Sequence, residues 1–444
     1  MTNPSQRARQ AAERAPAGVR TAVCVAAALL CAAVSLRLAA DETTAAEFLG
    51  IDDARRIAIA QRAEVRAAQA RTLAARQRPA IVSALDDPMV APSIDHYPDK
   101  AMMPEEGEDA GRRYDWSVAV EQRFPLSNQL AERRRGAEFE AQRLDADALR
   151  VQLDVGEEAE RAFVMLHERR QMIILAAEQR LLAQQLVDAS SARYAAGGGS
   201  QAEVLRAEVE VARAQATLET QFAGERAATA MFNASLGRDP EDLAPRLRSP
   251  APEALPPAIA VVRETALRRR PELRGGTAEI GRSRAEVGVM RSMYWPMGMV
   301  RLGRASTMAE GKGTMAMVGI SLPIWTAKLR AGVAEAEAME TMARADVEAM
   351  RRMIEAEAAA ARESVLAARV QYLALRDDIV PRARMALSPA LSGYAAGRGS
   401  SLVSVIEATQ ALRMAQVDQV MGESALALAW ARLRRATGGD QDVP

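Results

Sequence analysis

Residues able to do chemistry are few in this chain of 444 residues, and their spacing excludes most chemistry. Its two cysteines, Cys24 and Cys31, fall inside an N-terminal apolar segment, so the mature chain would hold no disulfide and no reactive thiol. The two histidines are far apart. His96 falls in a predicted loop, and His167 in a long helix, where it is expected to be exposed or to face a partner. No His/Cys set has the spacing of a zinc site, so no metal ligand and no cofactor is assigned. Gly311-Lys312-Gly313-Thr314 invites comparison with a phosphate loop, but it lacks the upstream glycine and precedes a strand rather than a helix. There is no nucleophile elbow and no zinc-protease signature, so no catalytic residue is assigned and the chain does not read as an enzyme. Met290, Met293, Met297, Met299, Met308, Met315 and Met317 crowd one region. Thioethers suit soft Cu(I), but methionine is also ordinary apolar filler. The formal net charge is zero, which excludes the basic excess of a nucleic-acid binder.

The N-terminus reads as a signal peptide over residues 1–40. Arg7, Arg9, Arg14 and Arg20 precede an apolar run from Thr21 to Val34, of signal length and too short to span a bilayer as a helix. Ala39-Ala40 before Asp41 is one cleavage site and Ala33-Val34-Ser35 another; an uncleaved anchor is the other reading. Leu29-Leu30 before Cys31 makes a poor lipobox. Without residues 1–40 the chain is mildly acidic. No later segment offers about 18 consecutive apolar residues. Any membrane crossing must then be a closed barrel.

The elements that would position a site repeat themselves. Tyr194-Ala195-Ala196-Gly197-Gly198-Gly199-Ser200 is matched by Tyr394-Ala395-Ala396-Gly397-Arg398-Gly399-Ser400. Phe124-Pro125-Leu126 corresponds to Leu322-Pro323-Ile324, and Gln61-Arg62-Ala63-Glu64-Val65 to Arg269-Arg270-Pro271-Glu272-Leu273. The chain reads as two units, 41–250 and 251–444. Each begins with a helix (Ile51 to Arg78; Ala258 to Met290) and continues into a strand hairpin (about 85–125; about 291–323). A long helical hairpin follows (127–237; 326–437). Pro381 is expected to kink the second long helix. Gly197 and Gly397 suit helix C-termini, and Ser200 and Ser400 are expected to cap the returning helices. A helix of nearly 70 residues exceeds any globular core and must be a coiled coil, a filament or a tube wall.

Between the helices the period changes to two. Trp116, Val118 and Val120 alternate with Ser117, Ala119 and Glu121, and Ala316, Val318 and Ile320 with Met317, Gly319 and Ser321. Such strands suit a membrane barrel. The four per chain cannot enclose a lumen, so several protomers must share one barrel.

Together these features resemble the outer membrane efflux protein family, the TolC-type channels. The matching residues are Arg270-Pro271-Glu272-Leu273, Ser321-Leu322-Pro323-Ile324-Trp325, the two Tyr-Ala-Ala-Gly turns, and the Val204-Leu205-Arg206-Ala207 and Val405-Ile406-Glu407-Ala408-Thr409 segments that follow them. Asp87-Pro88-Met89 and Met315-Ala316-Met317 look most like the heavy-metal branch. The resemblance implies a mainly α fold with a membrane β-barrel portion: a homotrimer with a 12-stranded barrel in the outer membrane of a Gram-negative bacterium and a 12-helix periplasmic tunnel. It also implies a periplasmic adaptor and an inner-membrane pump as partners, and contact with outer membrane lipid. Residues just after the turns, Glu203, Arg206, Ser404 and Glu407, match the periplasmic gate, with the turns themselves (Tyr194, Gly197, Tyr394, Gly397) at the hairpin tips. Ser404 stands where the family's pattern has an acid. Three copies of Glu407 around an axis would make a charged ring; alternatively, such acids are exposed residues favourable at helix starts. The reading is a passive efflux duct, possible cargoes including heavy-metal cations. Its rival is a soluble periplasmic coiled-coil adaptor or scaffold, which would need one hairpin and a compact β-domain. A secreted hydrolase would need a catalytic constellation.

Overall fold

The structure, a computed structural model of the whole chain, describes residues 48–95, 115–250, 254–307, 311–397 and 399–439. The signal segment, both cysteines, His96 and Met308 lie outside them. Two helices, α1 (Ile51–Gln61) and α2 (Ala63–Val82), precede strands β1 (Met89–Asp95) and β2 (Asp115–Pro125). A long helix α3 (Gln129–Ala195) then turns back as α4 (Gln201–Ser235). The same order recurs as α5 (Ile259–Arg269), α6 (Pro271–Ser292), β3 (Met297–Thr307), β4 (Gly311–Ser321) and α7 (Thr326–Ala374). A π turn (Leu375–Ile379) joins α7 to α8 (Val380–Ala395), and α9 (Leu402–Ala436) returns.

The 67 residues of α3 span about 100 Å at 1.5 Å per residue. Its polar face is closed by pairs one turn apart, Arg134–Glu138, Arg150–Asp154 and Arg161–Glu157 among them, each contributing a few tenths of a kcal/mol. Its neighbour α6 packs through glycines. A Cβ on Gly281 would lie 2.5 Å from the Phe139 ring, and one on Gly276 2.7 Å from Val347 of α7. Those gaps are filled by the partner helices, so α6 sits close against both walls.

Each opening helix, expected as continuous, is broken once. Arg62 and Arg270 are extended (ψ 137° and 123°) between α1 and α2 and between α5 and α6. Pro271 clashes with a helical residue before it, which explains the second break. Each arginine is held by the glutamate two residues on and by one from a long helix: Arg62 by Glu64 and Glu158 of α3, Arg270 by Glu272 and Glu357 of α7. The kink expected at Pro381 is taken up by the π turn just before it, where Leu375 packs on Gly422 of α9. Ser200 caps α4 as expected, but Ser401, not Ser400, accepts the Ser404 amide at the start of α9. The second helix starts one residue later, so the cap shifts with it.

Three apolar clusters run along the rod. One, around Phe163 and Phe232 (ring centroids 6.1 Å apart), ties α1, α3, α4 and α9. A second around Trp430, Ile354 and Val262 ties α5, α7 and α9. The third, around Tyr394, Leu402 and Leu186, holds the tips. Beside the first lies a buried ionic cluster. Glu160, 2% exposed, accepts from Arg434 at 2.7 Å with Arg55 at 3.7 Å. Burial pushes the Glu160 carboxyl up, against the pull of both guanidinium groups. His167, expected to be exposed or at an interface, is instead buried, 3.6 Å from Glu423 of α9. The packing of α9 along α3 covers it.

Candidate functional site: a membrane sheet above a hairpin tip

The four strands form one antiparallel sheet in the order β1-β2-β3-β4. Register fixes its two faces, because directly paired residues share a side. Val90, Val120, Leu302 and Ala316 lie across one row of the first face, and Ile94, Trp116, Val118, Val300, Val318 and Ile320 extend it. These side chains are largely exposed, Val318 by 82%. The other face carries Ser93, Ser117, Ala119, Glu121, Arg123 and Arg301. Ser117, Ala119 and Glu121 are buried there, which marks the concave side. An exposed, mainly apolar face, with Arg304 and Lys312 toward its outer end, opposite a concave face that carries the buried polar groups is the pattern of a barrel wall in lipid. Among the described residues, β1 and β4 each pair on one side only, so the sheet has two open edges.

Where sheet meets helices, Trp295 and Trp325 are 64% and 74% exposed, with Leu322 and Ile324 beside them. Indole rings at this level suit a membrane–water interface. In the sequence Trp325 stands only within the Ser321-Leu322-Pro323-Ile324-Trp325 motif, while Trp and Tyr flanking strand ends are the signal of such a belt.

At the far end, the two turns meet. Gly197 and Gly397 end their helices with φ of 75° and 68° and open space around them, the left-handed geometry glycine allows. Tyr394 is buried, and its hydroxyl donates to Glu203 Oε2 at 2.9 Å. Arg193 lies over its ring, 4.4 Å from the centroid, and donates to the Tyr394 carbonyl at 2.7 Å and the Gly198 carbonyl at 2.9 Å. Burial, then the hydrogen bond and charge of Glu203, push the Tyr394 hydroxyl up to about 12, so it stays a neutral donor. Tyr194, its counterpart in the repeat, is 50% exposed and takes no such place. Arg206 and Glu407 are exposed outside this cluster. Ser404 spends its hydroxyl on the Ser401 carbonyl at 2.7 Å. Arg193 directly precedes the Tyr194 turn in the sequence. Its importance comes from the tertiary approach of the other tip.

No described helix is long and apolar enough to cross a membrane, and no group of three or more His, Cys, Asp or Glu among the described residues could hold a metal ion. A cavity of about 1090 Å³ is an open groove between α2, α3 and α6, lined by Arg71, Arg78, Arg282, Glu132, Glu140 and Glu279 among others. Those groups belong to the charged face of the wall.

This architecture is similar to that of solved outer-membrane channels. The outer-membrane channel OprN matches it with a TM-score of 0.72 at 18% identity, covering 88% of this chain and 90% of that one. CusC gives 0.75 at 14% identity, over 88% and 92%. The outer membrane protein VceC of Vibrio cholerae gives 0.73 at 16% identity, over 88% and 96%. At such identities the likeness establishes the fold. No curated protein matches the sequence. Residues 262–439 match the model of the outer membrane efflux protein family.

Proposed function

We infer that this protein is the outer-membrane exit duct of a tripartite efflux system, with its helices in the periplasm. One observation carries the reading: a sheet with a hydrocarbon face, a polar face and two open edges stands on helices about 100 Å long. Open edges are forbidden in lipid. Three protomers would join β1 of one to β4 of the next, giving 12 strands around a lumen and 12 helices around a periplasmic tunnel. The duct performs no chemical step and is not an enzyme. Solutes reach it from an inner-membrane pump through a periplasmic adaptor, and outer membrane lipid covers the hydrocarbon face. The segments 41–250 and 251–444 act as its two repeated units.

The hairpin tips are the periplasmic gate. Tyr394, Glu203 and Arg193 tie the second tip to the first, while exposed Glu407 and Arg206 sit where threefold symmetry would gather like charges into rings. Tyr194, Gly197, Gly397 and Ser404 shape the turns and caps. Asp87-Pro88-Met89 and the methionine-rich strands favour heavy-metal cations as cargo.

The test is the mass of the protein extracted from outer membranes in detergent. A trimer supports the duct, and a detergent-independent monomer would return the soluble scaffold. In the trimer, Glu407→Gln should change cation preference in single-channel recordings; an unchanged preference removes Glu407 from the gate.

A further inference from the structure

The sheet separates sulfur from hydrocarbon. Register places Met89, Met297, Met299, Met315 and Met317, every methionine of the four strands, on the concave face. Every Val, Ile, Leu, Phe and Trp of the strands lies on the convex face. If methionine served here as an apolar filler, it would share the lipid face with the aliphatic residues. Instead it occupies the side where a membrane barrel places polar groups.

The placement also brings the thioethers together. Met299 pairs with Gly319 and Met315 with Gly303, so glycine leaves room beside each. The Met299 methyl reaches across to β4, 2.8 Å from where a Cβ of Gly319 would be. Met317 is two residues along that strand on the same face, and Met297 two residues along β3. Met299 is thus the same-strand neighbour of Met297 and the diagonal neighbour of Met317, each within reach of long side chains, while Met297 and Met317 stand four register positions apart. The charges beside these methionines, Glu121 with Arg123 at 2.9 Å and Arg301 opposite Glu121, do not create an anionic field, and Asp115 shares the face at the far end of β2. Selection would rest on ligand softness instead.

We propose that the thioethers of Met297, Met299 and Met317 form a short ladder of soft-cation contacts on the lumen wall of the barrel, Met299 shared between Met317 on one side and Met297 on the other, taking monovalent Ag(I) or Cu(I) in passage. Neutral sulfur donors prefer such ions to Na(I), K(I) or Mg(II). Three copies around the axis would line the exit with the same chemistry. This rests on the duct reading, since the concave face is a lumen only in the closed barrel.

The experiment is equilibrium dialysis of the detergent-purified trimer against Ag(I), with metal quantified per protomer, on the wild type and on Met299→Leu/Met317→Leu. Leucine keeps the volume and removes the sulfur, so the barrel should persist. Expected is Ag(I) bound by the wild type, with Ag–S scattering in X-ray absorption, and affinity weaker by about tenfold or more in the variant. Absence of Ag(I) binding by the wild type, or equal binding by the variant, would overturn the site. Single-channel conductance in KCl, measured on both proteins, separates this from the duct itself. Conductance without Ag(I) binding removes the methionine site alone, and silence of these trimers and of Tyr394→Phe, which frees the second tip from Glu203, removes the lumen on which the site depends.

Discussion

The hydroxyl of Tyr394, at the end of α8, donates a 2.9 Å hydrogen bond to Glu203, in the first turn of α4, across 191 residues of sequence. The two helical hairpins are thus joined at their tips, and Arg193 closes the same contact from the other side. Removing the hydroxyl as Tyr394→Phe keeps the ring under Arg193 and deletes one bond to a carboxylate. About 1–2 kcal/mol should leave the closed arrangement of the tips. In single-channel recordings, openings should become about five- to thirtyfold more frequent. Unchanged gating would show that this bond does not hold the tips.

The buried cluster at the other end of α9 should behave oppositely, as a determinant of stability rather than gating. Arg434→Met leaves Glu160 buried with Arg55 alone, at 3.7 Å. Breaking such a pair should destabilise the fold by about 3–5 kcal/mol. The double variant Glu160→Gln/Arg434→Met should recover much of that loss, because no charge is then stranded. Thermal unfolding of the detergent-solubilised proteins measures both, and equal midpoints for the single and double variants would contradict the coupling.

Glycine substitutions along one helix interface should differ in sign. Gly281→Ala drives a methyl into Phe139 and should cost about 1–3 kcal/mol. Gly136→Ala on the facing helix meets Ala285 at an ordinary 3.6 Å and should be neutral or stabilising, by up to about 1 kcal/mol from helix propensity. Chemical denaturation of the two variants compares them, and equal losses would mean that close approach does not explain the glycines of α6.

Acid should act through Glu272. Burial alone would raise its carboxyl, but the hydrogen bond from Arg270, its own backbone amide and the charge of Arg435 outweigh it and hold the group at about 2 against an ordinary 4.5. A depressed folded value means that this contribution is fully present above pH 4.5 and is lost as pH falls toward 2. Melting temperature should therefore drop over that window in the wild type, and the drop should be smaller in Glu272→Gln. Identical pH profiles would remove Glu272 from the acid response.

Much of this fold was legible from period and punctuation. The absence of proline between Ser127 and Tyr194 gave α3 almost to the residue, and the alternation around Val118 and Val318 gave β2, β4 and their apolar faces. The break at Arg270 was written in the following proline, yet the one at Arg62 was not, because glutamates from two segments hold it. His167 escaped for a similar reason: its burial depends on α9, over 200 residues later. The Tyr394–Glu203–Arg193 contact was half visible. Both turns could be read, but that Tyr394 is buried while Tyr194 is exposed follows from how the hairpins pack, which no local signal encodes.

The central claim, a water-filled duct closed by three copies of an open-edged sheet, is tested most directly by single-channel conductance in a planar bilayer. The wild type and Tyr394→Phe should be recorded side by side, so that a closed tip is not mistaken for a missing pore. Expected are discrete steps of equal size in both, more frequent in the variant. Silence from both proteins, as correctly inserted trimers, would contradict the duct.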